Sequence, residues 1–256
     1  EKRTACLPVL EEKRKNIEDV DEKLTSIWHT NSTFSSHVEG FICAIQEEEI
    51  NTNHLKHRRS QNRRDVNPKC RLCHTKDETI HHTIASCPKL SASMYLPVRH
   101  DEVAKEVYRR LITPKENVKV PILETYSSEN IDIWWDNKIN TPCKVKHNRP
   151  DIVLWRKEEK QCFVIDIVVG LDVNVNENIK LKHDHYFQLC AELKRIYEDY
   201  TFEIVPISIG ATGLVTKQLT RNLLKIGLTD ILQTIVKIQQ KALLGTVKIV
   251  KSFMKL

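Results

Sequence analysis

Two aspartates stand beside or within apolar runs, where a β-branched or aromatic residue would be expected. Asp151 precedes one such run and Asp166 lies within the next, and the polar segment 156–161 joins them. Two β-branched runs around a short charged joint predict an antiparallel hairpin. If its turn is centred on Glu158 and Glu159, the register places Asp151 directly opposite Asp166.

This register would bring two carboxylates close together on one face of the sheet. Opposed side chains in an antiparallel pair lie about 5 Å apart at Cβ. Two carboxylates at this separation repel each other, and burying them unpaired is costly. A divalent cation removes the conflict, since Mg²⁺ is bound through one or two carboxylates together with water and phosphate oxygens. The hairpin therefore predicts a metal site held by Asp151 and Asp166.

The helix that follows the hairpin is predicted to add a cationic side chain. The apolar pattern indicates a long helix over about 176–200, and Lys182 falls on its apolar stripe between Ile179 and Tyr186. Lys182 is either a snorkelling lysine or a catalytic cation, and the nearby carboxylates favour the second role. Lys180 is the alternative, but it projects about 100° away from Ile179 and is expected to face solvent.

These residue types together predict a metal-dependent phosphodiesterase site. A metal ion held by Asp151 and Asp166 lowers the pKa of a bound water and neutralises charge that grows on a scissile phosphate. Lys182 would orient the attacking water or stabilise the transition-state oxyanions. Tyr186, one helical turn from Lys182 on the same face, would position the lysine or contact a phosphate backbone.

A second set of metal-ligand residues precedes the hairpin. Cys70 and Cys73 form a Cys-x-x-Cys pair, whose thiolates can occupy two corners of a tetrahedron from one tight knuckle. A histidine and Cys87 can supply the other two corners. The alternative is that these are free core cysteines, but four ligand types at this spacing favour a metal. The predicted zinc ion is structural, because no coordination position is left open.

Three histidines compete for the fourth zinc position. His82 is favoured over His81, because His81 directly follows Ile80 and would more easily face solvent. His74 is a weaker competitor. The predicted ligand set is therefore Cys70, Cys73, His82 and Cys87.

Basic residues are concentrated in two segments, although the formal net charge is only +6. Segment 54–76 carries eight lysines or arginines against one acid, and 217–256 also carries eight against one. Such blocks suggest contact with a polyanion, although a solvated linker is the alternative for the first of them. The residues expected to bind nucleic acid are Arg58, Arg59, Arg63, Arg64, Lys69, Arg71 and Arg149.

The amino-acid composition is typical of a chain that folds around a substantial hydrophobic core. Of its 256 residues 40% are hydrophobic and 29% are charged, which argues against global disorder. No apolar run reaches the roughly 18 residues that span a bilayer, and no signal peptide opens the chain. The 8 cysteines indicate metal or core usage in a reducing compartment. Because the chain begins at Glu1 without methionine, we expect a fragment of a longer polypeptide.

The elements that must position these residues form an α/β arrangement. Helical patterns cover 7–28, 38–55, 88–112, 214–226 and 229–254, and 129–138 is predicted to be a further helix. With the hairpin and a strand over 201–210, they predict a mixed sheet flanked by helices. Asp136 is interpreted as a surface or capping acid rather than an outer-shell catalytic one. We expect four segments: a mostly helical basic linker at 1–66, a zinc knuckle with its following helix at 67–113, an α/β domain at 120–228 and a lysine-rich helix at 229–256.

The two motifs in this order resemble known nuclease motifs. Pro150-Asp151 followed by Asp166 resembles the PD-(D/E)xK nuclease superfamily, although Val168 occupies the usual place of the lysine, two residues after the second acid. One branch moves that lysine to the following helix, where Lys182 stands here. This branch is the restriction-like endonuclease of early-branching non-LTR retrotransposons. The CCHC segment, Cys70-Arg-Leu-Cys73 through His82 to Cys87-Pro-Lys-Leu90, is similar to the zinc knuckle that precedes that nuclease.

The resemblance covers about residue 40 to the C-terminus and has definite implications. It implies a PD-(D/E)xK nuclease-like core at 120–228, with catalytic Mg²⁺ and structural Zn²⁺. It also implies the C-terminal part of a reverse-transcriptase polyprotein, in which the nuclease nicks target DNA and the released 3′-hydroxyl primes reverse transcription. The expected partners are DNA and the rest of the polyprotein, with element RNA as a further candidate and no membrane. Synthesis is expected in the cytoplasm and action in the nucleus.

The polymerase motifs of such polyproteins are absent from these residues. The alternative function is a catalytically inactive or co-opted nucleic-acid-binding module, in which the zinc knuckle and basic segments do the binding. The intact trio Asp151, Asp166 and Lys182 favours the endonuclease, since a decayed copy would have no reason to keep a repulsive pair of acids.

Overall fold

A five-stranded mixed sheet lies at the centre of the computed structural model, which describes residues 8–31, 33–61, 66–113 and 120–255. Strands that follow each other in the chain are neighbours in the sheet. The three pairs formed by the first four strands are antiparallel, whereas the fourth and fifth strands pair in parallel. The strands are β1 (Thr125–Ser127), β2 (Ile131–Trp135), β3 (Ile152–Arg156), β4 (Gln161–Gly170) and β5 (Thr201–Gly210).

Helices make up most of the N-terminal part, and several of them pack against the C-terminal helix. In chain order, two π-helical segments, His82–Ser86 and Ser91–His100, come after the N-terminal helices and before the first strand. A 3₁₀ turn spans Asp172–Asn174. Pro97 lies inside the second π-helical segment and has no N–H to donate to a regular helical ladder. The α-helices are α1 (Pro8–Arg14), α2 (Glu22–Ser26), α3 (Trp28–Asn31), α4 (Ser36–Gln46), α5 (Asn53–Arg59), α6 (Asp101–Ile112), α7 (Val175–Ile196), α8 (Lys217–Lys225) and α9 (Ile231–Phe253).

The β3–β4 hairpin has the register that the sequence predicts. Arg156 faces Gln161 at the turn, and Ile152 faces Ile165 at the other end. One further step along the same register puts Asp151 opposite Asp166. The prediction of an antiparallel hairpin is therefore confirmed.

Both faces of the hairpin are buried, and its side chains alternate between two clusters. Ile152 and Leu154 pack with the cluster formed by β5, α6, α8 and α9, whereas Val153 and Trp155 pack toward α7. The same alternation in β4 puts Cys162 and Val164 on the α7 face. Asp166 follows at the next step of two, so it also faces α7.

One predicted helix, at 129–138, is wrong because these residues form strand β2 instead. Ile133 is fully buried in the cluster that includes α6, whereas Trp134 packs into the cluster on the α7 face. This alternation has the period of two that defines a strand. A run of only five residues rich in β-branched and aromatic side chains fits a strand better than a helix.

The N-terminal helical patterns are interrupted in the structure. Within 7–28 the chain turns at Asp19, whose φ is +63°, and Val20 there forms an antiparallel bridge with Thr216. Within 38–55 a second turn occurs at Glu48, whose φ is +60°. Periodicity alone predicts helix across both places, because it is insensitive to a single left-handed residue.

The coarse fold prediction is confirmed as a mixed α/β arrangement, with a five-stranded sheet, flanking helices and a cysteine-rich cluster. The division into four segments stays a prediction. In the part of the chain that the structure describes, α9 contributes Ile235, Ile238 and Ala242 to the same cluster as the sheet. None of the described helices is both long and apolar enough to cross a membrane.

Candidate functional site

Asp166 is the most buried member of the predicted site. Its side chain lies on the α7 face of β4, and the residue is only 4% exposed. The Tyr186 hydroxyl donates a hydrogen bond to Oδ1 at 2.6 Å, and Lys182 Nζ lies 2.6 Å from Oδ2. Oδ2 is buried, and Lys182 is its only cationic or donor contact among the described residues. A carboxylate oxygen has more than one lone pair, so a further ligand of Oδ2 would share it with this ammonium.

Asp151 is held by a strand and by a distant helical segment. The backbone N–H of Ile167 donates to Asp151 Oδ2 at 2.6 Å, and His100 Nε2 lies 3.2 Å from the same oxygen. The side chain is 20% exposed. Both contacts use one carboxylate oxygen, and no donor among the described residues hydrogen-bonds to Oδ1.

The electrostatics of the pair match the conflict predicted from the hairpin register. Burial raises the pKa of Asp166, and the neighbouring negative charge of Asp151 raises it further. Lys182 and Tyr186 oppose this rise by stabilising the carboxylate. Burial and then the charge of Asp166 raise the pKa of Tyr186, so its hydroxyl remains a neutral donor.

His100 belongs to this site and was not predicted from the sequence. Its Nδ1 lies 3.0 Å from Asp101 Oδ1, and its Nε2 lies 3.1 Å from the Ile167 carbonyl as well as near Asp151. All three partners are acceptors, so both ring nitrogens donate and the ring is an imidazolium. Burial opposes the charge, but the hydrogen bonds and charges of Asp151 and Asp101 raise the pKa of His100 to about 9.

The structure distinguishes Lys182 from Lys180. Lys182 reaches Asp166 with a side chain that is 24% exposed, whereas Lys180 is exposed on another side of α7. Tyr186 lies one turn beyond Lys182, and its hydroxyl also lies 3.3 Å from the carbonyl oxygen of Arg149. The structure therefore brings Asp151, Asp166, Lys182 and Tyr186 together, and Lys180 stays outside this group.

Arg149 and Asp136 form a pair at the edge of this site. Arg149 Nη2 donates to Asp136 Oδ2 at 2.8 Å, and Arg149 Nε donates to the Asp136 carbonyl at 3.0 Å. Asp136 has a φ of +46° and is exposed. Its side chain contacts Arg149, as a surface acid would, while its N–H donates to the backbone carbonyl of Asp151 at 2.8 Å.

The acid pair fits a hard divalent cation better than a transition metal. It offers two carboxylates, with Asp166 Oδ2 buried and contacted by Lys182, but no thiolate. Mg²⁺ characteristically takes one or two protein carboxylates and keeps several waters. Within the described ranges, the only group of three or more Cys, His, Asp or Glu side chains with closely gathered ligand atoms lies elsewhere, in the zinc-knuckle segment.

That group is the set of four residues predicted as zinc ligands. The ligand atoms of Cys70, Cys73, His82 and Cys87 all lie within 4.8 Å of one another. Cys73 Sγ is 3.3 Å from His82 Nε2, and Cys70 Sγ is 3.9 Å from Cys87 Sγ. His81 is instead directed away, with Nε2 3.3 Å from Glu48 Oε1. A Cys₃His group of this kind could hold a metal such as zinc.

Backbone hydrogen bonds and a buried carboxylate hold the knuckle in shape. The Cys70 N–H donates to the Lys76 carbonyl at 2.8 Å. Glu78 is fully buried and accepts from Arg71 Nη2 at 2.7 Å and from the Asn53 N–H at 2.8 Å. The carboxylate of Glu78 thus joins the knuckle to the start of α5.

The cysteine thiols of the knuckle differ in their protonation. Although desolvation opposes ionisation, hydrogen bonds from Lys76 and Thr75 lower the pKa of Cys73 to about 5. Burial raises the pKa of Cys87 to about 11, and the neighbouring Cys70 adds to this rise. Cys73 is therefore the thiolate that would bind a cation first.

Arg99 connects the knuckle to the central sheet. Its guanidinium is buried, donating from Nη1 to the Ile84 carbonyl at 2.8 Å and from Nη2 to the Val169 carbonyl at 3.1 Å. Ile84 lies between the zinc-ligand candidates His82 and Cys87, whereas Val169 lies near the end of β4. Arg99 directly precedes His100, so consecutive residues contact the zinc segment and the acid pair.

Most of the described residues predicted to bind nucleic acid are paired with carboxylates. Arg63 and Arg64 lie outside the described residues, and Arg58 is exposed. The role of Arg58, Arg63 and Arg64 in binding nucleic acid stays a prediction. The ion pairs are Arg59 with Glu49, Lys69 with Asp77, Arg71 with Glu78 and Arg149 with Asp136.

No protein-family model matches this sequence, and comparison with curated proteins finds no match either. The function must therefore be inferred from the two sites themselves. One is a Cys₃His group that could hold zinc, and the other is a pair of carboxylates contacted by a lysine, a tyrosine and a histidine.

Proposed function

We propose that this protein is a Mg²⁺-dependent DNA endonuclease that hydrolyses phosphodiester bonds at the acid pair. The observation that carries the proposal is the position of Lys182 Nζ, 2.6 Å from Asp166 Oδ2, on a carboxylate that the negative charge of Asp151 also reaches. Two acids and a lysine converging at the end of a hairpin are what metal-assisted phosphate hydrolysis requires.

The proposed chemistry divides among the side chains. Asp151 and Asp166 would hold Mg²⁺, which supplies an activated water and neutralises charge on the phosphate. Lys182 stabilises negative charge that develops on the phosphate oxygens. Tyr186 fixes the orientation of Asp166 through Oδ1, and the N–H groups of Ile167 and His100 fix Asp151 through Oδ2. These contacts leave Asp166 Oδ2 to Lys182, and leave Asp151 Oδ1 without a hydrogen-bond donor among the described residues.

The arrangement of elements also supports a PD-(D/E)xK nuclease-like core. Asp166 lies on β4, Asp151 immediately precedes the antiparallel neighbour β3, and the lysine lies on the helix that links β4 to its parallel neighbour β5. A lysine on that helix, after a zinc knuckle, is the pattern of the restriction-like endonuclease in non-LTR retrotransposons. We therefore propose that the nick primes reverse transcription, within a larger reverse-transcriptase polyprotein that acts in the nucleus.

Nicking of supercoiled plasmid in Mg²⁺ tests the proposal. Asp151→Ala and the isosteric Asp151→Asn should both abolish nicking while leaving DNA binding nearly intact. Asp184→Ala provides the matched control, because Asp184 is an exposed acid on α7. Nicking that persists in both Asp151 variants would overturn the assignment of the site.

One observation favours the alternative of a non-catalytic nucleic-acid-binding module. The acid pair is already balanced by two protein cations, since Asp151 contacts His100 and Asp166 contacts Lys182. Such a site needs no metal to remain folded. The two functions separate in the same assay: an inactive module binds DNA without nicking it at any Mg²⁺ concentration, and the Asp151 variants then match the wild type.

A further inference from the structure

An open cleft lies between the loop 138–148 and Gln188 of α7. It encloses about 670 Å³. Among the described residues that line it none is acidic, and three are lysines. The lysines and side-chain amides that line it are Lys138, Asn140, Lys144, Lys146, Asn148 and Gln188.

Buried residues fix the loop and direct the lysines outward. Ile139 and Val145 are 6% and 7% exposed and pack into the cluster on the α7 face of the sheet, whereas the three lysines flanking them are exposed. The loop is closed by the Ile139 N–H, which donates to the Asn148 carbonyl at 2.8 Å. Asn148 Nδ2 returns a hydrogen bond to the Ile139 carbonyl at 3.0 Å. Positions of the lysine backbones are therefore set before any ligand binds.

The loop also docks on α7 through stacked imidazole rings. The rings of His147 and His185 lie 4.1 Å apart at their centroids and are 6° from parallel. Burial lowers the pKa of His147, and the positive charges of His185, Lys146 and Lys182 lower it further. Lys146 of the loop and Lys182 of α7 thus lie close enough to act on the same imidazole.

Pairing with carboxylates distinguishes the lysines of this loop from residues that the sequence predicts to bind nucleic acid. Across the described part of the chain, Lys138, Lys144 and Lys146 make no ion pair or side-chain hydrogen bond. Lys69 and Arg71, by contrast, are each paired with a carboxylate of the knuckle. Unpaired lysines on a fixed loop lose no protein contact when they bind an anion.

We propose that Lys138, Lys144 and Lys146 hold the sugar–phosphate backbone of the DNA strand beside the bond to be cut. The inference rests on the proposed function, because it locates the substrate of the same site. Lys146, the nearest of the three in sequence, lies five residues before Asp151, a reach of at most about 18 Å. A DNA strand carries one phosphate per roughly 3.4 Å of axis, so this reach corresponds to at most about five phosphates. Backbone contacts of this kind give affinity and position rather than sequence specificity.

The test replaces the three lysines together with glutamine. Binding of a fluorescently labelled 20-base-pair DNA is followed by anisotropy at several salt concentrations, with zinc present and no added Mg²⁺. Loss of three phosphate contacts should reduce the slope of log affinity against log salt by about 2 to 3. The matched control is Lys23→Gln, Lys160→Gln and Lys194→Gln, since these lysines are exposed, lie outside both basic segments and remove the same charge.

The outcomes separate this inference from the proposed function. A smaller slope in the cleft variant, with the control close to the wild type, supports the inference whether or not the wild type nicks DNA. An unchanged slope in the cleft variant, or an equal loss in the control, overturns it. Failure of the proposed function would appear elsewhere, as absence of Mg²⁺-dependent nicking by the wild type. Thermal unfolding of both triple variants verifies that each is folded.

Discussion

His100 Nε2 lies 3.2 Å from Asp151 Oδ2, a contact between residues that are 51 positions apart in the chain. The imidazolium holds the carboxylate from outside the sheet, while the Ile167 N–H holds it from within β4. Asp151 is thus fixed by two donors on one oxygen. A group that orients a metal-binding carboxylate in this way affects both metal affinity and turnover.

We therefore expect His100→Ala to weaken nicking by about 10- to 100-fold and to raise the Mg²⁺ concentration needed for half-maximal activity. His100→Gln, which retains a side-chain N–H donor, should recover part of the loss. The measurement is a Mg²⁺ titration of nicking rate for each variant. A positioning role is contradicted if His100→Ala lowers the rate but leaves the Mg²⁺ dependence of the wild type.

The lysines of α7 provide a second prediction. Lys182→Ala should reduce the nicking rate by about 10²-fold or more, because it removes the cation next to the developing phosphate charge. Lys180→Ala is the control and should retain the wild-type rate, since Lys180 is exposed and lies outside the site. Single-turnover nicking at saturating Mg²⁺ measures both. A much lower nicking rate for Lys180→Ala than for Lys182→Ala would assign the catalytic role to Lys180.

Metal analysis tests the knuckle. Cys73→Ser and His82→Asn should each lose about one equivalent of zinc per chain, because each removes one of four ligands gathered within 4.8 Å. His81→Asn is the matched control and should retain the metal, since His81 contacts Glu48 instead. Full zinc content in the His82 variant together with loss in the His81 variant would show that the ligand set is wrong.

Glu78 gives a prediction about stability. Glu78→Gln leaves Arg71 without its buried carboxylate and should lower the free energy of unfolding at neutral pH by about 3 kcal/mol. Despite desolvation, hydrogen bonds from Arg71 and Asn53 lower the pKa of Glu78 from its usual value near 4.5. A lowered folded-state pKa contributes stability above the unfolded-state value, and this stability is lost as pH falls toward the folded-state value.

Urea unfolding of wild type and Glu78→Gln at pH 7 and near pH 4 measures this effect. The difference in unfolding free energy between the two proteins should shrink at the lower pH, because Glu78 begins to protonate in the unfolded chain. Taking the difference between the proteins cancels the titration of the shared zinc ligands. A difference that stays constant across this pH range would contradict the assigned role of the Glu78 charge.

The sequence was sufficient for the elements whose signals are local. The hairpin register follows from the position of the charged turn, and Lys182 falls on the apolar stripe of α7. The sequence predicts a helix where strand β2 forms, because five residues are too short a run to distinguish a period of 3.6 from a period of 2 when both sheet faces are apolar. The left-handed turns at Asp19 and Glu48 leave no mark on hydrophobic periodicity.

Other features depend on contacts that only the folded chain makes. Nothing in the residues around His100 indicates Asp151 as its partner, because the contact requires the second π-helical segment to cross the end of the hairpin. Arg71 was read as a nucleic-acid contact from its local charge, whereas its guanidinium is paired with buried Glu78. The adjacent pair His100-Asp101 was the one available clue, since an acid beside a histidine favours its charged form.

Arg99 has a consequence for how this protein can be divided. Its guanidinium binds a carbonyl of the zinc segment and a carbonyl of β4, and the next residue contacts Asp151. A rotation of that helical segment would move both contacts at once. The zinc segment is thus mechanically coupled to the acid pair, so exchanging it for a knuckle from another protein should disturb the proposed cleavage even if the substitute bound zinc and DNA equally well.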